Sequence, residues 1–450
     1  MTEDLTLRSG ERGAFANVLA TRGTRATPEA PFIIEHREAL IYMLCLASEL
    51  EHAIMCQYLY AAFSMKQTLD EGLTEAQLQS VDRWRQTVAH VATQEMLHLA
   101  LVQNLLTSIG AAPHLSRPNL PPPPGRYPPT VSLTLLPFGE RALRHFMFLE
   151  RPEGLVLDDP LLEGALGRAV PAVQLGEIVP QLQDFATIGH LYRSIEDGLH
   201  HLAELFGEER LFCGPPRAQA TTEHFGWSEL VTIRDTESAQ RAIDTIIEQG
   251  EGPRGDWQSA HFGLFVNILD EYLALRDADP TFEPARPVLP ANVRPHERAT
   301  TLPLITDPTA APCTDLFNVS YEVLLLVLQR YFAHTGESDA QLGVLAEVAL
   351  GLMFEVLKPL GHLVTRLPVG QEHPGQTAGP SFELFYESDY VLPHQHAAWL
   401  VLEERLRDAE AFCARIADKG GALSEVVMPV GASLNKFAES LASGGADSAT

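Results

Sequence analysis

Six side chains in this sequence are of the types, and in part at the spacing, that hold a pair of metal ions. Glu95 and His98 stand at i, i+3 in the run Val91-Ala92-Thr93-Gln94-Glu95-Met96-Leu97-His98-Leu99, so both leave the same side of a helix. Val88, Val91, Ala92, Leu99 and Val102 share that face. A carboxylate and an imidazole inside an apolar stripe need a partner, because an unpaired buried charge is costly. Glu51 lies within a second stripe, made by Leu44, Ala47, Ile54, Met55, Tyr58 and Ala62. Glu196 shares a face with Tyr192, Leu199, His200 and Ala203, and Glu251 falls on the next turn of the stripe Ala239, Ala242, Ile243, Ile246, Ile247. His261 shares a face with Leu264, Phe265 and Ile268. Glu51, Glu95, Glu196 and Glu251 with His98 and His261 match the donor count of a dinuclear carboxylate site in a helix bundle. Carboxylate oxygens can bridge two hard divalent ions, an imidazole caps each, and the set suits iron, or a manganese and an iron ion. Open positions on such a pair would take dioxygen as co-substrate.

Each residue has a plainer reading. Glu95 and His98 could be a buried hydrogen-bonded pair, and Arg193 offers Glu196 an i−3 salt bridge. Glu251 and His261 are separated by the break Gly250-Glu251-Gly252-Pro253, so that half departs from a strict Glu-x-x-His. Glu248 is an alternative to Glu251, although it points off the stripe. Tyr58, Tyr192 and His200 are candidates to border the site rather than bind metal. The chain has no Gly-rich dinucleotide fingerprint, P-loop, nucleophile elbow or haem-attachment motif.

The elements that position these residues read as long helices. The first runs from about 35 to 67 and the second from about 74 to 109, with Thr74 and Gln77 as a capping box and Gly110 as its stop. An extended surface crossing at 118–125 leads into a proline-broken crossover over about 127–180, a third helix spans about 179–206, and a fourth begins near Glu237, breaks at 250–253 and resumes near 259. The expected organisation is an N-terminal arm over 1–30, a helical bundle over 31–277, a Pro-rich linker over 278–315, a C-terminal helical region over 316–420 packed on the bundle, and a flexible tail over 421–450. The C-terminal helices fall at about 316–335, 339–365 and 392–418, and the polar loop 367–382 is long enough to frame a substrate entrance.

Composition narrows the partners. The 450 residues carry 32 basic and 59 acidic side chains, a formal charge of −27. That argues against nucleic acid or an anionic membrane surface. Five scattered cysteines without Cys-x-x-Cys spacing fit a reducing compartment. The start Met1-Thr2-Glu3-Asp4 lacks a basic-then-apolar leader, and the longest uninterrupted apolar run, near Val323–Val327, is far below membrane-spanning length. The expectation is a cytoplasmic protein. Its expected partners are a small-molecule substrate and an unknown electron donor, with no nucleic acid and no membrane; a homo-oligomer is left open.

Several runs resemble one known family. Glu51-His52-Ala53-Ile54-Met55-Cys56-Gln57-Tyr58-Leu59-Tyr60-Ala61, Gln94-Glu95-Met96-Leu97-His98-Leu99, Phe146-Met147-Phe148-Leu149-Glu150-Arg151-Pro152-Glu153, Ile188-Gly189-His190-Leu191-Tyr192 and Glu248-Gln249-Gly250-Glu251-Gly252 are similar to the ferritin-like domain of the iminophenyl-pyruvate dimer synthase group, which includes chromopyrrolate synthases of the violacein and rebeccamycin type. The likeness covers about 32–275, and Thr377-Ala378-Gly379-Pro380-Ser381-Phe382-Glu383 resembles a C-terminal part of some members. It implies an all-α fold: a ferritin-like four-helix bundle with a long crossover between helices two and three, plus additional C-terminal helices. It also implies oxidative chemistry on small, amino-acid-derived molecules in secondary metabolism, with the six residues above as the site. The readings that follow are a di-metal oxidase or oxygenase, an imine-dimerising synthase, and a metal-free scaffold or binding protein.

Overall fold

In the computed structural model the described residues are 34–128, 131–153, 155, 185, 187–252, 257–295, 302–334, 336–385, 390, 392–418 and 420–446. Among them there are helices and isolated β-bridges but no strand. The expected N-terminal arm and the first turns of the expected third helix lie outside these residues. Two compact units divide the chain: one draws on Met1–Leu105, Pro122–Cys213 and Ile233–Ala285, the other on Leu106–Pro121, Gly214–Thr232 and Arg286–Thr450.

The first unit is built on two long helices, α1 (Arg37–Ser64) and α2 (Glu75–Ser108). Neither contains glycine or proline. Most of α1 is buried, with Leu40, Leu44, Leu50, Ile54 and Tyr58 almost wholly so, and a helix apolar nearly all round belongs in a core. Thr74 and Gln77 exchange the reciprocal bonds of a capping box at the start of α2, and Gly110 follows its end with φ 83°, as a left-handed terminator does. The crossover contains a helix of its own, α3 (Glu140–Leu149). Among the described residues, three further long helices belong to the unit: α4 (Ile188–Phe206), α5 (Thr236–Gly250) and α6 (His261–Ala278). Asp235 caps α5 through the Ser238 N–H at 2.8 Å, a contact of the kind that contributes about 1 kcal/mol.

Packing pairs these shorter helices. α3 lies on α6 and α4 on α5. The C-termini of α3 and α5 and the N-terminus of α4 meet at one level, where Glu150, Gly189, Tyr192 and Glu251 line a cleft. Tyr58, Phe146 and Phe265 interlock beside it with centroids 4.7–5.2 Å apart, tying α1 to α3 and α6 by aromatic contact.

The second unit contains α7 (Ala310–Phe332), α8 (Asp339–Gly351), α9 (Lys358–Val364), α10 (Gln395–Ala417) and α11 (Ala422–Ala446). The single helix expected over 339–365 is divided by a π-helical turn, Leu352–Leu357. Pro359 explains the division: it has no N–H for the carbonyl one turn back, so the ladder widens there. The larger difference is at the end of the chain. In place of a flexible tail from 421, α11 runs for 25 residues and buries Val427, Val430, Leu434, Phe437 and Leu441. Its glycines serve approach to α10: a Cβ on Gly444 would sit 2.7 Å from the Trp399 ring, and one on Gly431 3.2 Å from Cys413 Cβ. The loop 367–382 is fastened too, with Thr377 bridging both Val288 and Pro368.

Three helical stretches, Arg37–Ser64, Ala310–Phe332 and Asp339–Val364, have the length and composition to cross a membrane, which the search for uninterrupted apolar runs does not reveal. The first is mostly buried within its unit and carries two carboxylates, Glu49 and Glu51, at its centre.

Arg330 and Glu337 form a buried bidentate pair at 2.6 and 2.7 Å, and Trp399 Nε1 donates to the same carboxylate at 3.1 Å. Burial works against the charged carboxylate, but these donors outweigh it and hold Glu337 at about 2. The stabilisation is present above the ordinary carboxylate value near 4.5 and is lost as pH falls from there toward 2. Glu337→Gln strands the guanidinium, which costs about 3–5 kcal/mol. Urea unfolding at pH 7 should show that loss, and the gap from wild type should narrow in acid.

Candidate metal centre

α1 and α2 bring the first three candidates together. Oxygen and nitrogen atoms of Glu51, Glu95 and His98 lie within 4.8 Å of one another, and all three side chains are buried. His98 Nδ1 stands 3.2 Å from Glu95 Oε2 and 3.5 Å from Glu51 Oε2. A second group of the same compactness joins Glu95, Glu150 and His261. There His261 Nδ1 is 2.9 Å from Glu95 Oε1 and 3.6 Å from Glu150 Oε1. Glu95 thus belongs to both groups, one oxygen turned to each imidazole, and the two rings stack at 5.6 Å.

The surroundings repeat from one group to the other. His98 Nε2 is 2.9 Å from Gln249 Oε1, and His261 Nε2 is 3.2 Å from Gln94 Oε1. An amide oxygen accepts only, so each Nε2 carries the hydrogen and each Nδ1 is left facing the carboxylates. Tyr192 donates to Glu51, and Tyr58 donates to Glu150. Each group therefore has one imidazole oriented by a glutamine and one outer carboxylate held by a tyrosine. α1 supplies Glu51 and Tyr58; α2 supplies Gln94, Glu95 and His98; Glu150 follows α3, and α4, α5 and α6 supply Tyr192, Gln249 and His261.

The remaining sequence candidates sit elsewhere. Glu196 lies in neither group; it is half-buried one turn beyond Tyr192, and burial and Asp244 push its carboxyl up. Glu251 is buried at the end of α5 but is likewise in neither group. Arg193 binds its Oε1, and the Glu153 N–H donates to its Oε2 at 2.7 Å. Burial pushes Glu251 up to about 7 against the pull of Arg193. Glu248 and His200 are exposed. Glu150 was not among the sequence candidates. Its signal was the short face Ala142, Phe146, Leu149, which the carboxylate extends by a turn from Phe146.

The charge pattern fits cations. Burial, then repulsion from Glu95, pushes Glu51 up to about 8. His261 rises to about 9 although burial lowers it, because the nearby Glu150 and Glu95 carboxylates favour its charged form. His98 is likewise raised by Glu95 and Glu51 over the opposing effect of burial. Glu95 stays ionised: burial raises it, but the two imidazoles pull it well below the carboxylate range. Protons here compensate a surplus of buried negative charge, a task two divalent cations would also perform. His261 Nδ1 supports the same fit, since no hydrogen bond of ordinary geometry reaches it despite its close carboxylates. The all-oxygen-and-imidazole donor set suits iron or manganese.

A family model for ferritin-like proteins matches residues 44–270, half of the chain, and the chain belongs to that family. Among characterised proteins it is 29% identical over 427 residues to dichlorochromopyrrolate synthase of Lentzea aerocolonigenes, covering 86% of this chain and 40% of that protein. It is 26% identical over 378 residues to 2-imino-3-(indol-3-yl)propanoate dimerase of Chromobacterium violaceum, covering 78% of this chain and 34% of that protein. The chain thus spans well under half the length of these relatives. A solved ferritin-like protein from Caulobacter vibrioides aligns with 70% of this chain and 96% of its own, at 18% identity and a TM-score of 0.45.

In metal-free protein the His261 imidazolium should persist to about pH 9. Removing one anionic neighbour by Glu150→Gln lowers that midpoint, and NMR titration of the ring signals reads the shift. An unchanged midpoint would contradict the proximity of Glu150.

Proposed function

We propose that this chain is a metal-dependent oxidase or oxygenase acting on a small, amino-acid-derived molecule, with two iron ions, or a manganese and an iron, as cofactor. The observation that carries the reading is the pair of donor groups sharing Glu95. Glu51, Glu95 and His98 would hold one ion, and Glu95, Glu150 and His261 the other. Such a pair, when bound, supplies redox equivalents for dioxygen. The chain's own residues do the rest. Gln249 and Gln94 fix the tautomer in which Nδ1 is the free donor, and Tyr192 and Tyr58 orient the outer carboxylates. Phe146 and Phe265, both buried, keep one flank of the site dry. The cleft beside Glu150, Tyr192 and Glu251 has room for little more than a water, so it would have to widen to admit a small substrate.

A second reading is favoured by the names of the two relatives: an imine-dimerising synthase of the chromopyrrolate type. It uses the same fold and differs in the reaction. Oxygen uptake by the reduced, metal-loaded protein with candidate amino acids supports the oxidase. Formation of a coupled product from imino acids, generated in place by an amino-acid oxidase, supports the synthase.

Mass-spectrometric metal analysis of protein from iron- and manganese-supplemented cells tests the shared premise. The expected content is about two ions per chain, following the two-ion geometry of carboxylate bundles. Glu95→Ala should lose both ions, and His98→Ala or His261→Ala chiefly one. A folded wild-type chain without metal would sink the reading and leave a scaffold. Affinity should also rise with pH between 6 and 9, because a cation must displace protons from Glu51, at about 8, and His261, at about 9.

A further inference from the structure

Glu251 has the residue type, the burial and the place on its helix of a metal ligand, yet Arg193 occupies it. The guanidinium of Arg193 pairs with Glu251 Oε1 and also with Glu153 Oε2, while the Glu153 N–H donates to Glu251 Oε2 at 2.7 Å. One side chain of α4 thereby ties the segment after α3 to the end of α5. Both carboxylate oxygens of Glu251 are engaged. Arg193 is about one quarter exposed (26% of its side chain), so this tie stands at the solvent side of the cleft. Two glycines keep the ground between the carboxylates open. A Cβ on Gly189 would lie 2.4 Å from Glu251 Oε1, and one on Gly250 3.3 Å from Glu150 Oε2.

We propose that Arg193 is a positioning residue that withholds Glu251 from the metal pair, leaving Glu51, Glu95, His98, Glu150 and His261 as the protein donors. This rests on the metal reading above. The physical basis is competition for one carboxylate. A bidentate carboxylate occupies coordination positions that a small ligand would otherwise take, and a guanidinium engaging both neighbouring acids satisfies Glu251 without a metal. Without the guanidinium, Glu251 would lose the cation that now holds it, and a proton and a metal ion would compete for its oxygens.

Calorimetric titration of metal-free protein with Mn²⁺, with electron paramagnetic resonance of the bound ion, tests the assignment. Wild type and Glu251→Gln should bind the same number of ions with similar affinity. Arg193→Gln should bind Mn²⁺ more tightly, by about tenfold or more on the scale of changes around a metal site, with an altered spectrum. The double variant Arg193→Gln/Glu251→Gln should return to wild-type affinity and spectrum. Loss of one ion in Glu251→Gln, or a folded Arg193→Gln with unchanged affinity and spectrum, overturns the proposal. Should Arg193→Gln not fold, Arg193→Lys, which keeps the charge but cannot span Glu251 and Glu153 as the guanidinium does, replaces it in the same titration, with tighter binding and an altered spectrum expected and wild-type behaviour overturning the proposal. Absence of Mn²⁺ binding by wild type would instead remove the metal reading itself, so the two failures are distinct.

Discussion

One carboxylate set between two imidazoles governs the first unit. Glu95 directs Oε2 to His98 and Oε1 to His261, and every other polar group of the site is placed with respect to that axis. Burying this many acids would cost several kcal/mol for each one left uncompensated. The metal-free molecule meets the cost by sharing protons, which is why Glu51 moves up while Glu95 stays ionised. Such an arrangement needs walls that do not yield. α1 and α2 supply them: both are long, unbroken by glycine or proline, and embedded in apolar side chains.

The shorter helices contribute in a different way. They end or begin at the level of the site, so their termini place single residues there: Glu150 after α3, Gln249 and Glu251 at the end of α5, and His261 at the start of α6. The loop beyond α3 contributes as well, through the Glu153 N–H that donates to Glu251. The hydrogen bonds from Tyr192 and Tyr58 then link α4 to α1 and α1 to the end of α3 through the carboxylates themselves. Fold and site are in this sense one network.

Where periodicity runs unbroken, the sequence is a good guide. Glu51, Glu95 and His98 follow from the stripes of α1 and α2, because a regular helix makes spacing equivalent to direction. Past the breaks that equivalence fails. Glu196 shares a face with Tyr192, but it lies a turn further along, roughly 6 Å away, and the long phenol rather than the carboxylate reaches the site. Glu150 follows a helix of only ten residues in a proline-rich stretch, where no stripe is long enough to stand out. Gln94 and Gln249 have no charge to draw notice; their role comes from the imidazoles they face. α11 was obscured by composition, since glycine and serine near a chain end suggest a loose tail. Here the small residues are what let Trp399 and Cys413 come close.

The interruptions after α3 and α5 also bear on how such a chain can diversify. Insertions within a continuous helix rotate every residue that follows by about 100° each, from 3.6 residues per turn, and would scatter a ligand set. α3 and α4, and likewise α5 and α6, are separate helices, so a change of length between the members of either pair would not turn Glu51, Glu95 or His98. Glu150, Arg151, Ile188 and Glu251, which border the cleft, stand at the edges of these breaks. New contacts can therefore arise beside the two donor groups that share Glu95 while those groups are left in place.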